Sequence, residues 1–154
     1  MEKRTQLTVM LENRPGSLSE VVGILAKAEV NLEAISINDG VHHGVLKLVP
    51  AAVDVARKAL KKAGLSFSEQ KVYALSLADR PGSLAGACAL LAEQGINIDF
   101  VYGSTCDCAG HGCDCGKHTC GCSAMLILSL ADGKAAAALL KSGKKGKKGK
   151  KEGK

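Results

Sequence analysis

The chain has 154 residues, of which 46% are hydrophobic and 23% charged, enough for a packed core in one ordinary domain or two small ones. Aromatic residues make up only 3%, which disfavours a surface that stacks nucleic-acid bases. The net charge of +6 arises from Lys141–Lys154, which holds eight lysines and one glutamate. Neither a membrane-spanning apolar run nor a signal segment is present in the sequence, so we expect a cytoplasmic protein.

An internal repeat organises the sequence. A shift of 66 residues places LENRPGSL, at Leu11–Leu18, over LADRPGSL, at Leu77–Leu84. Before each Pro-Gly pair, apolar residues alternate with polar or small ones over Leu7–Leu11 and Tyr73–Leu77, which predicts a strand with one buried face. After it, apolar residues at helical spacing predict a helix in each copy, and Ser17-Leu-Ser-Glu20 has the pattern of a capping box that starts the first one.

The later elements follow in the same order in both copies. A second strand comes after Val30-Asn-Leu and after Ile96-Asn-Ile. Third strands are predicted at Val45–Val49 and Met125–Leu130, alanine-rich helices at Ala51–Lys62 and Lys134–Lys141, and a fourth strand at Phe67–Val72 in the first copy alone.

The order βαββαβ predicts an α+β fold made of two ferredoxin-like units with antiparallel sheets. After Gly143 only lysine, glycine and one glutamate follow, so the second unit lacks a clear last strand, and we expect a sheet edge that is open or covered by a partner. The predicted domains are a unit at 1–71, a unit at 72–143 with a Cys/His-rich loop at 105–123, and a disordered Lys/Gly tail at 144–154.

The repeated motif resembles the ACT domain, because an apolar strand is followed by NRPGSL or DRPGSL, an apolar helix and then VNLEAI or GINIDFVY. Its duplication resembles small tandem ACT proteins. The resemblance implies a non-catalytic regulatory fold that binds amino acids or similar small ligands, often at an interface between two such domains. A homodimer is therefore expected. By position, the family's ligand loop would comprise Asn13, Arg14, Pro15, Gly16, Ser17 and Leu18, and in the second copy Asp79, Arg80, Pro81, Gly82, Ser83 and Leu84.

The chemistry of these loops agrees with a carboxylate ligand. Glycine allows a ligand to approach the backbone closely, and the amides at the start of the next helix attract an anion. Asn31 or Asn97, before the next strand, could then hydrogen-bond the ligand's ammonium or carboxylate group. The alternative is purely structural, since Pro-Gly-Ser is also what a tight turn from strand to helix requires.

The stretch CDCAGHGCDCGKHTCGC contains six of the seven cysteines and two of the four histidines, with a period of seven residues. Thiolates and imidazoles are the ligands of zinc and, with excess thiolate, of Cu(I), so the run predicts a metal site. The CxC spacing resembles metallothionein-like clusters. Disulfides, a catalytic zinc using Asp107 or Asp114, and a redox thiol are weaker alternatives. The predicted ligands are Cys106, Cys108, His111, Cys113, Cys115, His118, Cys120 and Cys122.

This cysteine-rich run is an insertion. Leu46 aligns with Leu126 and Leu60 with Leu140, so the shift between the copies grows from 66 to 80 residues between the second and third strands.

Two functions follow from these features. The first is a regulatory protein that binds an amino acid or similar ligand and carries a thiolate-rich metal site. The alternative is metal storage, delivery or sensing, with the ACT pair as scaffold. An enzyme is disfavoured, because no Ser/His/Asp set, phosphate loop or carboxylate pair is present in the sequence. The lysine tail is expected to bind an anionic partner weakly or to act only as a solubilising extension.

Overall fold

The computed structural model describes residues 1–38, 40, 43–104 and 123–131. Contacts divide the chain into two compact units: an N-terminal unit, Arg4–Val72, and a C-terminal unit, which combines Met1–Lys3 with the residues from Tyr73 onward. The strands are β1 (Glu2–Glu12), β2 (Leu32–Asn38), β3 (His43–Pro50), β4 (Phe67–Ala78), β5 (Ile98–Ser104) and β6 (Ser123–Leu130), and the helices are α1 (Ser17–Lys27), α2 (Val53–Lys62) and α3 (Ser83–Glu93).

In the N-terminal unit the strand order is β2-β3-β1-β4, with β3 antiparallel to both of its neighbours. Leu7 lies opposite Leu48 and Val9 opposite Leu46, so the alternation seen in the sequence brings all four side chains to one face. That face packs against α1 and α2 in a core completed by Leu11, Val21, Leu25, Val30, Ala56 and Leu60. The unit has the predicted βαββαβ order, and the predicted α+β, ferredoxin-like fold is confirmed.

The C-terminal unit repeats this arrangement, with the order β1-β4-β6-β5 and antiparallel pairing of β6 with both β4 and β5. Its core contains Tyr73, Leu91, Ile96, Leu128 and Leu130. The helix predicted at 134–141, the Cys/His-rich run and the lysine tail lie outside the described residues.

The edge of β4 in the C-terminal unit is occupied by the start of β1. Met1–Lys3 belongs to this unit, and the Met1 side chain packs against the core residues of the unit. In the N-terminal unit the same place beside the first strand is taken by residues 67–72 of β4. The expectation of an edge that is open or covered by a partner was therefore wrong, because the N-terminus of the same chain covers it.

One continuous strand, β4, replaces two strands that the sequence analysis separated at Val72 and Tyr73. The sequence FSEQKVYALSLA contains neither glycine nor proline, so nothing in it interrupts the extended backbone. β3 and β6 extend beyond the predicted ends by one or two residues, whereas α2 begins at Val53, two residues later than predicted. Within the described part of the chain no helix is long and apolar enough to cross a membrane.

Candidate functional site

The two proline-glycine loops have the same backbone conformation. Gly16 (φ 94°) and Gly82 (φ 86°) are the N-caps of α1 and α3, and both adopt the left-handed region that favours glycine. Within the first loop, the amide of Ser17 donates to the carbonyl of Arg14 at 3.3 Å, and in the second the amide of Ser83 donates to that of Arg80 at 3.2 Å. The repeat is therefore structural as well as sequential, and both loops are largely exposed.

Neither helix start has a side-chain cap. The predicted capping box at Ser17–Glu20 was wrong in this respect: α1 does begin at Ser17, but its N-cap is Gly16, and Ser17 is the first helical residue. Ser17 is only 7% exposed, and its hydroxyl has no hydrogen-bond partner among the described residues. Since first-turn amides lack intrahelical acceptors, both helix starts keep donors available for an anion.

In the N-terminal loop the arginine is neutralised by two carboxylates. The two terminal nitrogens of Arg14 donate to the two carboxylate oxygens of Glu20 at 3.0 Å each, and its Nε donates to Glu12 at 3.0 Å. Hydrogen bonding with Glu20 is the main cause that raises the pKa of Arg14, and the hydrogen bond from Arg14 lowers the pKa of Glu20. A cavity of about 390 Å³ lies beside this ion pair, with Leu11 and Val21 in its wall.

The loop is also tied to the neighbouring hairpin. The Asn13 side-chain amide donates to the carbonyl of Gly40 at 3.2 Å.

This ion pair makes the stability of the N-terminal unit depend on acid pH. Because the folded chain holds the pKa of Glu20 below its ordinary value of 4.5, the unfolded chain takes up the proton first as pH falls. The ion pair therefore contributes above about pH 4.5, and its contribution is lost as pH falls through the folded pKa. We expect Glu20→Gln to show a smaller loss of melting temperature than wild type between about pH 5 and pH 3.

The control is Glu29→Gln, which alters an exposed glutamate with no ion pair among the described residues of the same unit. If both variants follow the wild-type pH profile, the Arg14–Glu20 pair contributes nothing measurable, which is the common outcome for exposed pairs. The hydrogen bond from Arg57 also lowers the pKa of Glu69. Because this second ion pair is present in wild type and in both variants, it affects all three pH profiles alike.

In the C-terminal loop the arginine has no such partners. The repeat places Ala78 where Glu12 stands and Gly86 where Glu20 stands. Arg80 is exposed and makes no hydrogen bond or ion pair with residues that the structure describes. A cavity of about 640 Å³ opens at this loop, lined by Leu77, Ala78, Arg80, Pro81, Gly82, Ser83 and Gly86. The two loops thus share a backbone but differ in electrostatics, and of the two arginines only Arg80 lacks a carboxylate partner among the described residues.

Two of the three asparagines of the predicted ligand set, Asn31 and Asn97, lie away from the loops of their own units. Asn31 comes after α1 and Asn97 after α3, whereas each loop precedes its helix, and eleven helical residues rise about 16 Å. Their carbonyls accept from the amides of Ala51 at 3.0 Å and Ala131 at 3.3 Å, which closes the end of each sheet. Within one unit the structure does not bring these residues together with the proline-glycine loop.

The two strands that flank the cysteine-rich run are neighbours in the sheet. Ser104, at the end of β5, pairs with Met125 near the start of β6, so residues 105–122 connect two adjacent antiparallel strands. The predicted metal ligands themselves, Cys106 to Cys122, lie outside the described residues. Among the residues that are described, no three His, Cys, Asp or Glu side chains are grouped as a metal site would require.

The features that sequence reasoning missed are the carboxylate pair on Arg14 and its absence around Arg80. A signal existed, because the aligned copies differ at Glu12 against Ala78 and at Glu20 against Gly86.

Comparison with known proteins identifies the family. A family profile described as an ACT domain pair matches residues 3–112, well over half of the chain, and the protein therefore belongs to the ACT domain pair family. ACT pairs are regulatory modules that bind small ligands. No curated protein matches the sequence.

Solved structures support the fold. A protein from Bacteroides thetaiotaomicron of known crystal structure is 27% identical with a TM-score of 0.77, and the match covers 92% of this chain and 89% of that one. The regulatory subunits of aspartate kinase from Thermus thermophilus and Thermus flavus are both 16% identical, with TM-scores of 0.60 and 0.57. These matches cover 94% and 92% of this chain, and 97% and 90% of the two subunits.

Proposed function

We propose that this protein is a non-catalytic regulator that senses an amino acid or a similar small carboxylate, and that the ligand binds at the C-terminal proline-glycine loop. The observation that carries the proposal is the unneutralised Arg80 in a cavity at the uncapped start of α3. A guanidinium binds a carboxylate through two parallel hydrogen bonds, and the first-turn amides and the helix dipole add to that attraction.

The rest of the cavity suits the remainder of an amino acid. Leu77, Ala78 and Pro81 supply apolar wall, and Asp79, next to Arg80 in the chain, offers a carboxylate for the ligand's ammonium group. Glycine at positions 82 and 86 keeps side chains away from the helix start, so a ligand can approach the backbone. These features support a zwitterionic ligand with a small or aliphatic side chain.

The N-terminal loop is proposed to be inactive in binding. Glu20 already fills the place of a ligand carboxylate on Arg14 with bidentate geometry. An incoming carboxylate would have to displace this tethered group. One ligand per chain, and not two, is the expected stoichiometry.

Isothermal calorimetry against the twenty amino acids tests the proposal. We expect one of them to bind with a stoichiometry near one, and we expect Arg80→Ala to weaken that binding by about 10- to 100-fold, since hydrogen bonds to charged groups contribute about 1.5–3 kcal/mol. Arg14→Ala is the matched control and should retain the wild-type affinity. A folded sample that gives no heat with any amino acid would contradict the proposal.

We further propose that the run from Cys106 to Cys122 holds a thiolate-bound metal ion, zinc or Cu(I). The support is the ligand type, count and spacing in the sequence, together with the adjacent positions at which the run leaves and re-enters the sheet. If metal handling is the main task, the ACT pair serves as its scaffold. A homodimer, a cytoplasmic location and a weak anionic partner for the lysine tail belong to the proposal as well.

Metal removal should leave the two units folded. Each unit has a core of its own among the described residues, and we expect that apolar packing to persist without an ion in the run. Elemental analysis of the purified protein is expected to find zinc or copper, and replacing the six cysteines of the run by alanine should abolish it. The circular dichroism melting curve should be unchanged by that replacement, and a collapse of the melting temperature would instead make the metal a structural staple.

A further inference from the structure

The N-terminal unit has a groove between α1 and α2 that is lined by apolar residues and three lysines. Its floor is apolar and formed by Ile24 and Ala28 on one side and by Val55, Ala59 and Ala63 on the other. Lys27, Lys58 and Lys62 stand along its edges, and the groove has a volume of about 580 Å³. No acidic residue is among the described residues that line it.

The three lysines are exposed and make no hydrogen bond or ion pair with residues in the described ranges. The nearest ion-pair network on α2 is separate from them, because Asp54 and Glu69 are both held by Arg57. The groove therefore presents uncompensated positive charge around an apolar floor. Such a combination attracts an anionic partner and offers it apolar surface to bury.

The shape of the floor indicates what can lie in it. Val55, Ala59 and Ala63 are spaced four residues apart, as are Ile24 and Ala28, so the floor runs for about two turns along α2 and about one turn at the end of α1. Three of these five residues are alanines, which allow the ridge of an incoming helix to approach closely. Val55 is 45% exposed and is the largest exposed apolar side chain of α2.

We propose that this groove, lined by residues 24–28 of α1 and 55–63 of α2, is a docking site for an acidic amphipathic helix of a partner protein. The apolar face of that helix would lie on the alanine floor, and its flanking glutamates or aspartates would meet the three lysines. The inference goes beyond the proposed ligand site, because it concerns the other unit and stands whether or not an amino acid binds.

Two other occupants fit less well. A second copy of this chain offers no acidic helix among its described residues, since α1, α2 and α3 contain one acidic residue each, Glu20, Asp54 and Glu93. The tail of the sequence is basic. An anionic membrane surface would favour several large apolar side chains that project outward, and the described lining of this groove has three alanines, one exposed valine and no aromatic residue.

The test uses synthetic peptides with the full-length protein. A fluorescein-labelled amphipathic peptide with leucines on one face and flanking glutamates is compared with an isomer in which lysines replace the glutamates. Fluorescence anisotropy is expected to show binding of the glutamate peptide alone. The double variant Lys58→Glu, Lys62→Glu should weaken that binding by about tenfold or more. Lys61→Glu, on α2 but outside the groove, should change it less than about twofold.

Val55→Ser tests the apolar floor, and it should also weaken binding of the glutamate peptide. All of these variants change exposed residues, so we expect them to fold like wild type. Circular dichroism spectra that match the wild-type spectrum check this. The inference is overturned if Lys61→Glu weakens binding as much as the double variant, or if the double variant binds like wild type, which would assign the binding to the lysine tail. It is also overturned if phosphatidylserine vesicles bind in a manner that depends on Lys58 and Lys62 and the peptide does not bind.

Discussion

Replacing Leu25 by alanine is expected to destabilise the N-terminal unit by about 2–5 kcal/mol. Leu25 is 1% exposed and lies in the core between α1 and the sheet, where it packs with Leu7, Val21 and Leu60 among others. The substitution removes buried methyl groups and leaves a cavity that a close-packed core fills only in part. Alanine is at least as good a helix former as leucine, so the loss reports on packing and not on helix propensity.

The matched control is Leu18→Ala on the same helix. Leu18 is 38% exposed, so its truncation removes less buried surface and is expected to cost less than about 1 kcal/mol. Urea denaturation measures the free energy of unfolding of both variants. Far-ultraviolet circular dichroism is the probe, because the chain contains no tryptophan for fluorescence. Equal losses for the two variants would mean that α1 is not packed on the sheet as described.

The fold was predictable because its determinants are local and occur twice. Alternation in Leu7–Leu11 matches the faces of β1, and the helical spacing of Val21 and Leu25 matches the buried face of α1. The glycine of each proline-glycine pair fixes the turn because the backbone there requires a positive φ. A repeat of the whole pattern then makes the assignment secure, since two independent segments predict the same order of elements.

The parts that could not be predicted depend on residues far apart in the sequence. Nothing in the letters around Met1–Lys3 indicates that they would fill the edge beside β4, because strand pairing of this kind is decided by tertiary structure. The capping box failed for a similar reason. Glu20 has two possible partners, the backbone at the helix start and the guanidinium of Arg14, and the charged partner is the one it binds.

The two loops differ visibly in sequence, but the sequence alone does not show that the differing residues contact the arginine. Glu12 is two residues from Arg14, whereas Glu20 is six residues away and reaches Arg14 because the chain turns at Gly16. Ala78 and Gly86 stand at the positions of these two glutamates, so the second loop lacks both carboxylates.

Restoring one of those carboxylates should weaken ligand binding. In Gly86→Glu the new side chain stands where Glu20 stands in the other copy, and we expect it to pair with Arg80. A tethered carboxylate competes at an effective concentration in the millimolar range, so the affinity for an amino acid should fall by about tenfold or more. The site can hold the side chain, because a Cβ at Gly86 meets no atom within 4 Å.

Gly86→Gln separates charge from size. Glutamine has the same shape and should leave the binding near the wild-type level, while both substitutions replace a helical glycine and should raise helix stability by about 0.5–1 kcal/mol. The affinity would then fall in a protein that has become more stable, which excludes unfolding as the cause. Equal losses of binding for Gly86→Gln and Gly86→Glu would show that the effect is steric and that Arg80 is not the carboxylate site.

The reverse exchange tests whether removal of the two carboxylates from the N-terminal loop creates a second binding site. The double variant Glu12→Ala, Glu20→Gly gives the N-terminal loop the residues of the C-terminal one and releases Arg14 from both carboxylates. Because the two loops share the backbone geometry at Gly16 and Gly82, calorimetry of this variant should show a second binding event of the same amino acid. A stoichiometry that stays at one would mean that the cavity walls, and not the free guanidinium, select the ligand.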